Sequence, residues 1–309
     1  MRTLLKHRLI SSIFLILSLV YLGISTFSKP DPATLTKYHI TSAKLTAIVL
    51  TISLPYIVIW VVALIGYIRF NTYVDLIKRS KDGAAFKTMS HGLLLLAAWL
   101  PVSAVASSVA TNVYQKNPGR TAAMIILVNY INILLLLPGY ALLYRGARKL
   151  LPLVKTSAAT LSQSINVAFI SFASAYTFVT LEDPARHMAT SGVPVAAYYL
   201  PDWLIIFTLV IPRLIMWYLG VKAVQYLYLY RNKVRGVLYK QALDNLARGF
   251  GGVVLITIIL RIIQSLSTPL SKLSLAALLG IIYVLLIMIA VGYGFIASGA
   301  KKLQQIEEL

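Results

Sequence analysis

Long apolar runs alternate with short polar segments along the whole chain. Eight of these runs are long enough to cross a bilayer, which takes about 20 apolar residues in a helix. They cover residues 9–28, 45–68, 92–113, 122–143, 161–180, 203–226, 250–266 and 275–297. The pattern predicts an all-α polytopic membrane protein with eight transmembrane helices.

Three short stretches of the chain occur twice, in the same order. Residues 51–60 (TISLPYIVIW) match 208–217 (TLVIPRLIMW), 31–33 (DPA) match 183–185, and 139–150 (GYALLYRGARKL) match 292–303 (GYGFIASGAKKL). This order predicts two repeats, 1–150 and 151–309, within one integrated membrane domain. Each repeat holds four apolar segments, an even number, so the two are expected to be parallel and related by an axis along the membrane normal.

A proline lies inside each copy of the first repeated stretch, Pro55 and Pro212. Proline has no N–H and clashes with the carbonyl four residues earlier, here that of Thr51 or Thr208. Each helix is therefore predicted to kink, and the freed carbonyl needs another partner in lipid. The kinks either improve helix packing or act as hinges beside a cavity.

Glycines at the ends of the fourth and eighth segments predict close helix packing. Gly139 and Gly146 are seven residues apart, as are Gly292 and Gly299. Seven residues return to nearly the same helix face. Small residues on one face let two helices approach closely in lipid.

Composition supports a membrane protein and argues against catalysis. Of 309 residues, 59% are hydrophobic and 12% charged, and the mean hydropathy is +0.79. The chain has no Cys, which excludes disulfides and Cys-bound metals. No acid lies deep in an apolar segment, and no two of the four His share a helix at metal-ligand spacing. We expect no catalytic residues, no metal site and no cofactor.

The net charge of +20 is distributed unevenly across the predicted membrane. The loops on one side hold 20 of the 29 Lys and Arg, and those on the opposite side hold seven. By the positive-inside rule both termini and the connections 70–87 and 227–248 are cytoplasmic, and the plasma membrane is the expected location. Acidic lipid head groups are the expected partners of this face. Nucleic acid is not expected, because the chain has no soluble basic domain.

Both long cytoplasmic connections lack proline and are predicted to continue the second and sixth segments as amphipathic helices. In the first connection Val74 and Ile77 are expected to face one way, with Lys78 and Arg79 in water. Such helices either lie on the membrane surface or bind a partner protein.

The remaining two basic residues, Arg213 and Arg261, lie within apolar segments. An arginine at the centre of a span costs at least ~2.5 kcal/mol on insertion scales. In one interpretation Arg213 stacks on Trp217 and bonds freed carbonyls, while Arg261 extends toward water. In the other, both mark a site for a carboxylate, phosphate or anionic lipid head group. The predicted substrate-binding residues are Arg213, Arg261, Asn129, Asn132, Gln163 and Asn166, with Pro55 and Pro212 as hinges.

Three classes of function fit these features. The first is a transporter, channel or lipid-handling protein with an anion site between two repeats. The second is a structural or assembly subunit of a larger membrane complex. The third is a membrane sensor that acts through a separate partner. Duplication and polar residues within the membrane favour the first class.

Overall fold

The computed structural model describes residues 2–27, 42–116, 121–153, 166–167, 169–174, 176, 206–265 and 275–308; some side chains within these ranges, including that of Arg261, lie outside the description. The α-helices of this part of the chain are α1 (Arg2–Phe27), α2 (Ser42–Leu76), α3 (Gly83–Lys116), α4 (Thr121–Leu150), α5 (Ile211–Lys233), α6 (Val237–Ser265) and α7 (Leu275–Glu307). A 3₁₀ turn, Leu151–Leu153, follows α4, and a π-helical turn, Ile206–Val210, precedes α5.

Seven helical segments within the described residues are long and apolar enough to cross a membrane. They are His7–Ile24, Ser53–Leu76, Gly83–Ala110, Leu127–Leu150, Ile206–Lys233, Val237–Ile259 and Gly280–Glu307. The predicted fifth segment, 161–180, falls largely outside the description, although its described residues are helical. The multi-pass helical class is thus borne out, while the count of eight remains a prediction.

The helices pack in two similar sets of contacts. In sequence order, α3 packs along α4 and α6 packs along α7. Helix α2 contacts α7, and α5 contacts α4, so the N-terminal and C-terminal halves of the chain pack against each other. The largest buried side chains include Trp60 on α2 and Trp217 on α5, which are 1% and 0% exposed.

Glycines set the distance between α3 and α4 and between α6 and α7. A Cβ on Gly92 would lie 2.6 Å from the carbonyl oxygen of Gly139, and one on Gly249 would lie 2.8 Å from that of Gly292. Real Cβ atoms do not approach backbone so closely, so a side chain there would push the helices apart. The predicted close packing is confirmed at Gly139, Gly146 and Gly299, where a Cβ would lie under 3.0 Å from an atom of the neighbouring helix. A Cβ on Gly292 would lie 3.5 Å from its nearest neighbours, which is an ordinary contact.

The two connections predicted to be cytoplasmic are shorter than expected, because the helices run into them. Helix α2 ends at Leu76 and α3 begins at Gly83, while only residues 234–236 separate α5 from α6. Val74 and Ile77 are buried, and Lys78 is exposed, as the pattern predicted.

Aromatic packing holds these extensions within the bundle. The ring of Tyr73 lies 5.5 Å from that of Phe86, and Phe70 meets Phe250 of α6 edge-on at 6.3 Å. The hydroxyl of Tyr73 also lies 3.1 Å from that of Tyr239 on α6. The ends of α2 and α3 are therefore part of the helical core rather than separate surface helices.

The two repeated prolines differ in their surroundings. Pro55 lies within the continuous helix α2, and the carbonyl of Thr51 accepts a 2.8 Å hydrogen bond from the hydroxyl of Tyr283 on α7. Pro212 lies in the first turn of α5, directly after the π-helical turn. Proline is tolerated in a first turn because the N–H groups there have no intrahelical partner. The Thr51 carbonyl, which Pro55 leaves without its helical partner, thus has a hydrogen-bond donor on a neighbouring helix. Pro212 instead lies where the π-helical turn passes into the α-helix.

Candidate functional site

A cavity of about 480 Å³ lies among the helices, and every helix from α1 to α7 contributes to its wall. This volume is in the range of small-molecule sites, ~300–1,000 Å³. The aliphatic lining residues are Leu100, Ala104, Ile133, Leu136, Met216, Ile282, Leu285, Leu286 and Ile289. The polar and aromatic ones are Tyr21, Tyr56, Trp99, Ser103, Ser107, Ser108, Asn132, Arg213 and Thr257.

Arg213 carries the positive charge among the described residues of this lining. It follows Pro212 in the first turn of α5 and is 7% exposed. Its Nη2 donates to Oδ1 of Asn129 at 2.7 Å, and its Nη1 donates to the hydroxyl of Tyr176 at 3.3 Å. Both partners are neutral, and they hold the guanidinium group at the cavity wall.

No ion pair among the described residues includes Arg213. The pairs found there join Lys78 to Asp75, and Arg231 and Arg248 to Asp244. A guanidinium group has five N–H donors, and the other donors of Arg213 have no acceptor within the described part of the chain. A buried charge without a counter-charge is costly. Among the described residues, Arg213 therefore keeps donors that an anion could use.

The amide of Asn132 lies on the same wall, one turn along α4 from Asn129. Its Oδ1 accepts a 3.0 Å hydrogen bond from the indole Nε1 of Trp99 on α3. This bond uses the amide oxygen as acceptor and leaves the amide nitrogen of Asn132 as a donor on a residue that lines the cavity. Ser103 and Ser107 extend the polar wall along α3.

The structure brings together three of the predicted site residues. Arg213 and Asn132 line the cavity, and Asn129 is bonded to Arg213. Asn166 does not line it, and its buried Oδ1 has no hydrogen-bond partner among the described residues. Gln163 lies outside the described residues. Arg261 lies in α6 one turn beyond Thr257, and its side chain is outside the description.

The contacts of Arg213 differ from those that the packing interpretation named. Within the described residues it neither stacks on Trp217 nor bonds a backbone carbonyl. Trp217 instead packs against Tyr176, whose ring lies 4.9 Å away and at 75°. Tyr176 thus contacts both the tryptophan and the arginine, and it orients the two.

Sequence reasoning missed the aromatic part of the site. Tyr176 lies in the fifth apolar segment, and the sequence alone does not distinguish this tyrosine from the other polar side chains there. Tyr21 and Tyr56, which line the cavity with ring centroids 6.3 Å apart, carry no motif either. One signal was present: Tyr56 directly follows Pro55, just as Arg213 follows Pro212.

The fold and the cavity define a multi-pass helical membrane protein with a polar site inside its helical bundle. Groups of three or more His, Asp or Glu that could hold a metal ion do not occur in the described part of the chain. The chain matches no protein-family model, no curated protein and no solved structure. Its function is therefore inferred from the site itself.

Proposed function

We propose that this protein binds an anion in the cavity and acts as a transporter, channel or lipid-handling protein. The observation that carries the proposal is Arg213, a buried guanidinium group at the cavity wall whose hydrogen-bond partners among the described residues are the neutral side chains of Asn129 and Tyr176. An anion would supply a counter-charge that the described residues do not provide, and arginine binds carboxylate or phosphate through its planar fork.

Reciprocal contacts support a second part of the proposal, the parallel arrangement of two repeats. The hydroxyl of Tyr140 on α4 lies 3.2 Å from Oγ1 of Thr257 on α6, and that of Tyr293 on α7 donates to the carbonyl of Leu96 on α3 at 2.8 Å. Tyr140 and Tyr293 occupy matching places in the third repeated stretch. Each reaches into the opposite half.

The aromatic contacts of Trp60 and Trp217, the matching tryptophans of the first repeated stretch, are also similar in the two halves. Tyr21 lies 5.1 Å from Trp60 and Tyr176 lies 4.9 Å from Trp217, measured between ring centroids. The indole Nε1 atoms of Trp60 and Trp217 are both buried and have no hydrogen-bond partner among the described residues. Equivalent residues thus have equivalent surroundings, as duplication predicts.

Several residues of the cavity wall occupy matching positions in the two proposed repeats. Tyr56 and Arg213 correspond in the first repeated stretch, and both line the cavity. The two copies of the third stretch begin at residues 139 and 292, 153 residues apart. At this spacing Ile133 corresponds to Leu286 and Leu136 to Ile289, and all four residues line the cavity. The cavity would then lie at the axis between the repeats, which is where secondary transporters place their substrate sites. This favours transport over a purely structural role.

The two halves differ in the charge that they contribute to the cavity wall, and this difference indicates the charge of the ligand. One half contributes the cation Arg213, and the other contributes Tyr56 at the corresponding position. One positive group among the described residues of the lining suits a ligand with one negative group. Pro55 and Pro212, each next to one of these residues, are the proposed hinges.

The proposed topology places both termini and the 77–82 and 234–236 connections in the cytoplasm of a plasma-membrane protein. Exposed cations at these connections, such as Lys78, Arg79 and Lys233, would contact acidic lipid head groups. A protein partner would bind the same face.

The anion site is tested with octanesulfonate, which stays ionised and does not cross a bilayer as a neutral acid. Binding to the protein in nanodiscs is measured for wild type, Arg213→Gln and Arg213→Lys. Loss of charge-assisted hydrogen bonds predicts a roughly tenfold to hundredfold weaker affinity for Arg213→Gln. Arg213→Lys should be intermediate, because it keeps the charge and loses the fork.

The matched control is Lys222→Gln. Lys222 is a second buried cation on α5, 4% exposed, and it does not line the cavity. Its replacement should leave octanesulfonate binding unchanged. If Arg213→Gln, folded normally, binds the probe as wild type does, the anion site is wrong. Flux of the probe from proteoliposomes that depends on Arg213 supports a transporter or channel, and its absence despite binding rejects transport of this anion.

A further inference from the structure

The positions of polar and aliphatic groups along the cavity wall indicate the class of ligand more closely than the charge of Arg213 does. We propose that the ligand is a single-chain amphiphile, with one anionic head group at Arg213 and a hydrocarbon tail along the aliphatic wall. This inference rests on the proposed anion site and names the class of molecule that fills it.

Helices α3 and α4 show that the cavity has a polar end and an aliphatic end. Trp99 on α3 is bonded to Asn132 on α4, which fixes the level of the two helices. From that level α3 continues through Ser103 and Ser107, and α4 runs the other way to Leu136. The serines thus lie at one end of the cavity, and Leu136 lies at the other.

The arginine belongs to the polar end. Its Nη2 is bonded to Asn129, which lies one turn of α4 from Asn132 on the side away from Leu136. An anionic head group paired with Arg213 would therefore also be close to the hydroxyl groups of α3. Its tail would extend toward Leu136, where the lining of α4 is aliphatic.

Helix α7 supplies an apolar wall that runs beside this path. Its lining residues are Ile282, Leu285, Leu286 and Ile289, all aliphatic. At ~1.5 Å per residue the wall from Ile282 to Ile289 is ~10 Å long. A small inorganic anion would leave this surface without a partner, whereas a hydrocarbon chain would cover it.

The volume of the cavity fits a ligand with one hydrocarbon chain rather than two. About 480 Å³ is comparable to the sites of small organic ligands. Such a site accommodates a head group and one chain of moderate length. The proposed ligand is thus a molecule such as a single-chain carboxylate or phosphate rather than inorganic phosphate.

A chain-length series tests the inference on the wild-type protein, so it does not depend on a variant that folds. Affinities of methane-, butane-, hexane-, octane- and decanesulfonate are measured in nanodiscs, and binding to empty nanodiscs is subtracted. A buried methylene contributes ~0.8 kcal/mol, which corresponds to up to roughly fourfold in affinity. We expect affinity to rise with length and to level off once the chain exceeds the apolar wall.

Head-group controls keep the chain and change the charge. Octanol and octyltrimethylammonium should bind more weakly than octanesulfonate to wild type. In Arg213→Gln the preference for the anion over octanol should disappear, while the dependence on chain length should remain. This pattern assigns the head to Arg213 and the tail to the aliphatic wall.

The outcomes separate the two proposals. If octanesulfonate binding depends on Arg213 but all chain lengths bind equally, the amphiphile is wrong and the anion site stands. Stronger binding of inorganic phosphate than of octanesulfonate leads to the same conclusion. If no sulfonate binds in an Arg213-dependent manner, both proposals fail.

Discussion

The hydroxyl of Tyr283 on α7 donates a 2.8 Å hydrogen bond to the carbonyl of Thr51, which is the carbonyl that Pro55 leaves without its helical partner. The bond joins helices from opposite ends of the chain. It also explains how a proline is accommodated inside the long helix α2, because a neighbouring helix replaces the missing N–H.

Removing this hydroxyl should destabilise the contact between α2 and α7. For Tyr283→Phe we expect a loss of ~0.5–1.5 kcal/mol in the free energy of unfolding, the range for one interhelical hydrogen bond. Unfolding by denaturant in mixed micelles measures it. Tyr130→Phe is the matched control, since Tyr130 makes no hydrogen bond within the described residues and should lose less. Equal losses would show that the hydroxyl of Tyr283 is not the cause.

Placing a carboxylate beside Arg213 should block the anion site. In Asn129→Asp the new carboxylate would lie where Oδ1 now accepts the 2.7 Å bond from Arg213, and an internal ion pair would form. Octanesulfonate affinity should fall at least tenfold, as measured by binding to the purified variant. Asn232→Asp, on the exposed end of α5, controls for added negative charge. Unchanged binding by Asn129→Asp would mean that Arg213 is not the partner of the anion.

The two glycine contacts should be equally intolerant of a side chain. Gly92→Ala would place Cβ 2.6 Å from the carbonyl oxygen of Gly139, and Gly249→Ala would place it 2.8 Å from that of Gly292. Each should cost ~1–3 kcal/mol through overpacking. Gly294→Ala is the control, because a Cβ there has no neighbour within 4 Å, and alanine favours the helix. Thermal unfolding ranks the three, and a tolerated Gly249→Ala would contradict equivalent packing.

The proposed topology predicts which side of the membrane each connection faces. Cysteines are introduced at Lys81 and Asn232, both exposed and close to the connections 77–82 and 234–236, and at Asn117 in a predicted outer loop. The protein has no native cysteine, so each label is unambiguous. In intact cells an impermeant thiol reagent should modify only the cysteine at position 117. Labelling at position 232 would reverse the assignment of the second half and argue against parallel repeats.

The local chemistry of the chain determines much of this structure. Apolar segments long enough to span a bilayer form the helices, and Gly139, Gly146 and Gly299 pack closely because a hydrogen atom replaces a side chain. Arg213 is conspicuous in sequence alone, since a charge within an apolar segment is costly and requires partners. These properties belong to single residues and their neighbours in the chain.

The tertiary structure alone decides which residues meet. Tyr176 and Asn129 hold Arg213, although 37 and 84 residues separate them from it in the chain. Asn166, an equally good candidate by sequence, lies away from the cavity, and no periodicity distinguishes it from Asn132. A helical pattern specifies the face on which a side chain lies but not the helix opposite that face. That choice depends on the crossing and register of helices far apart in sequence, such as α2 and α7, where Gly66 lies against the backbone of Tyr293.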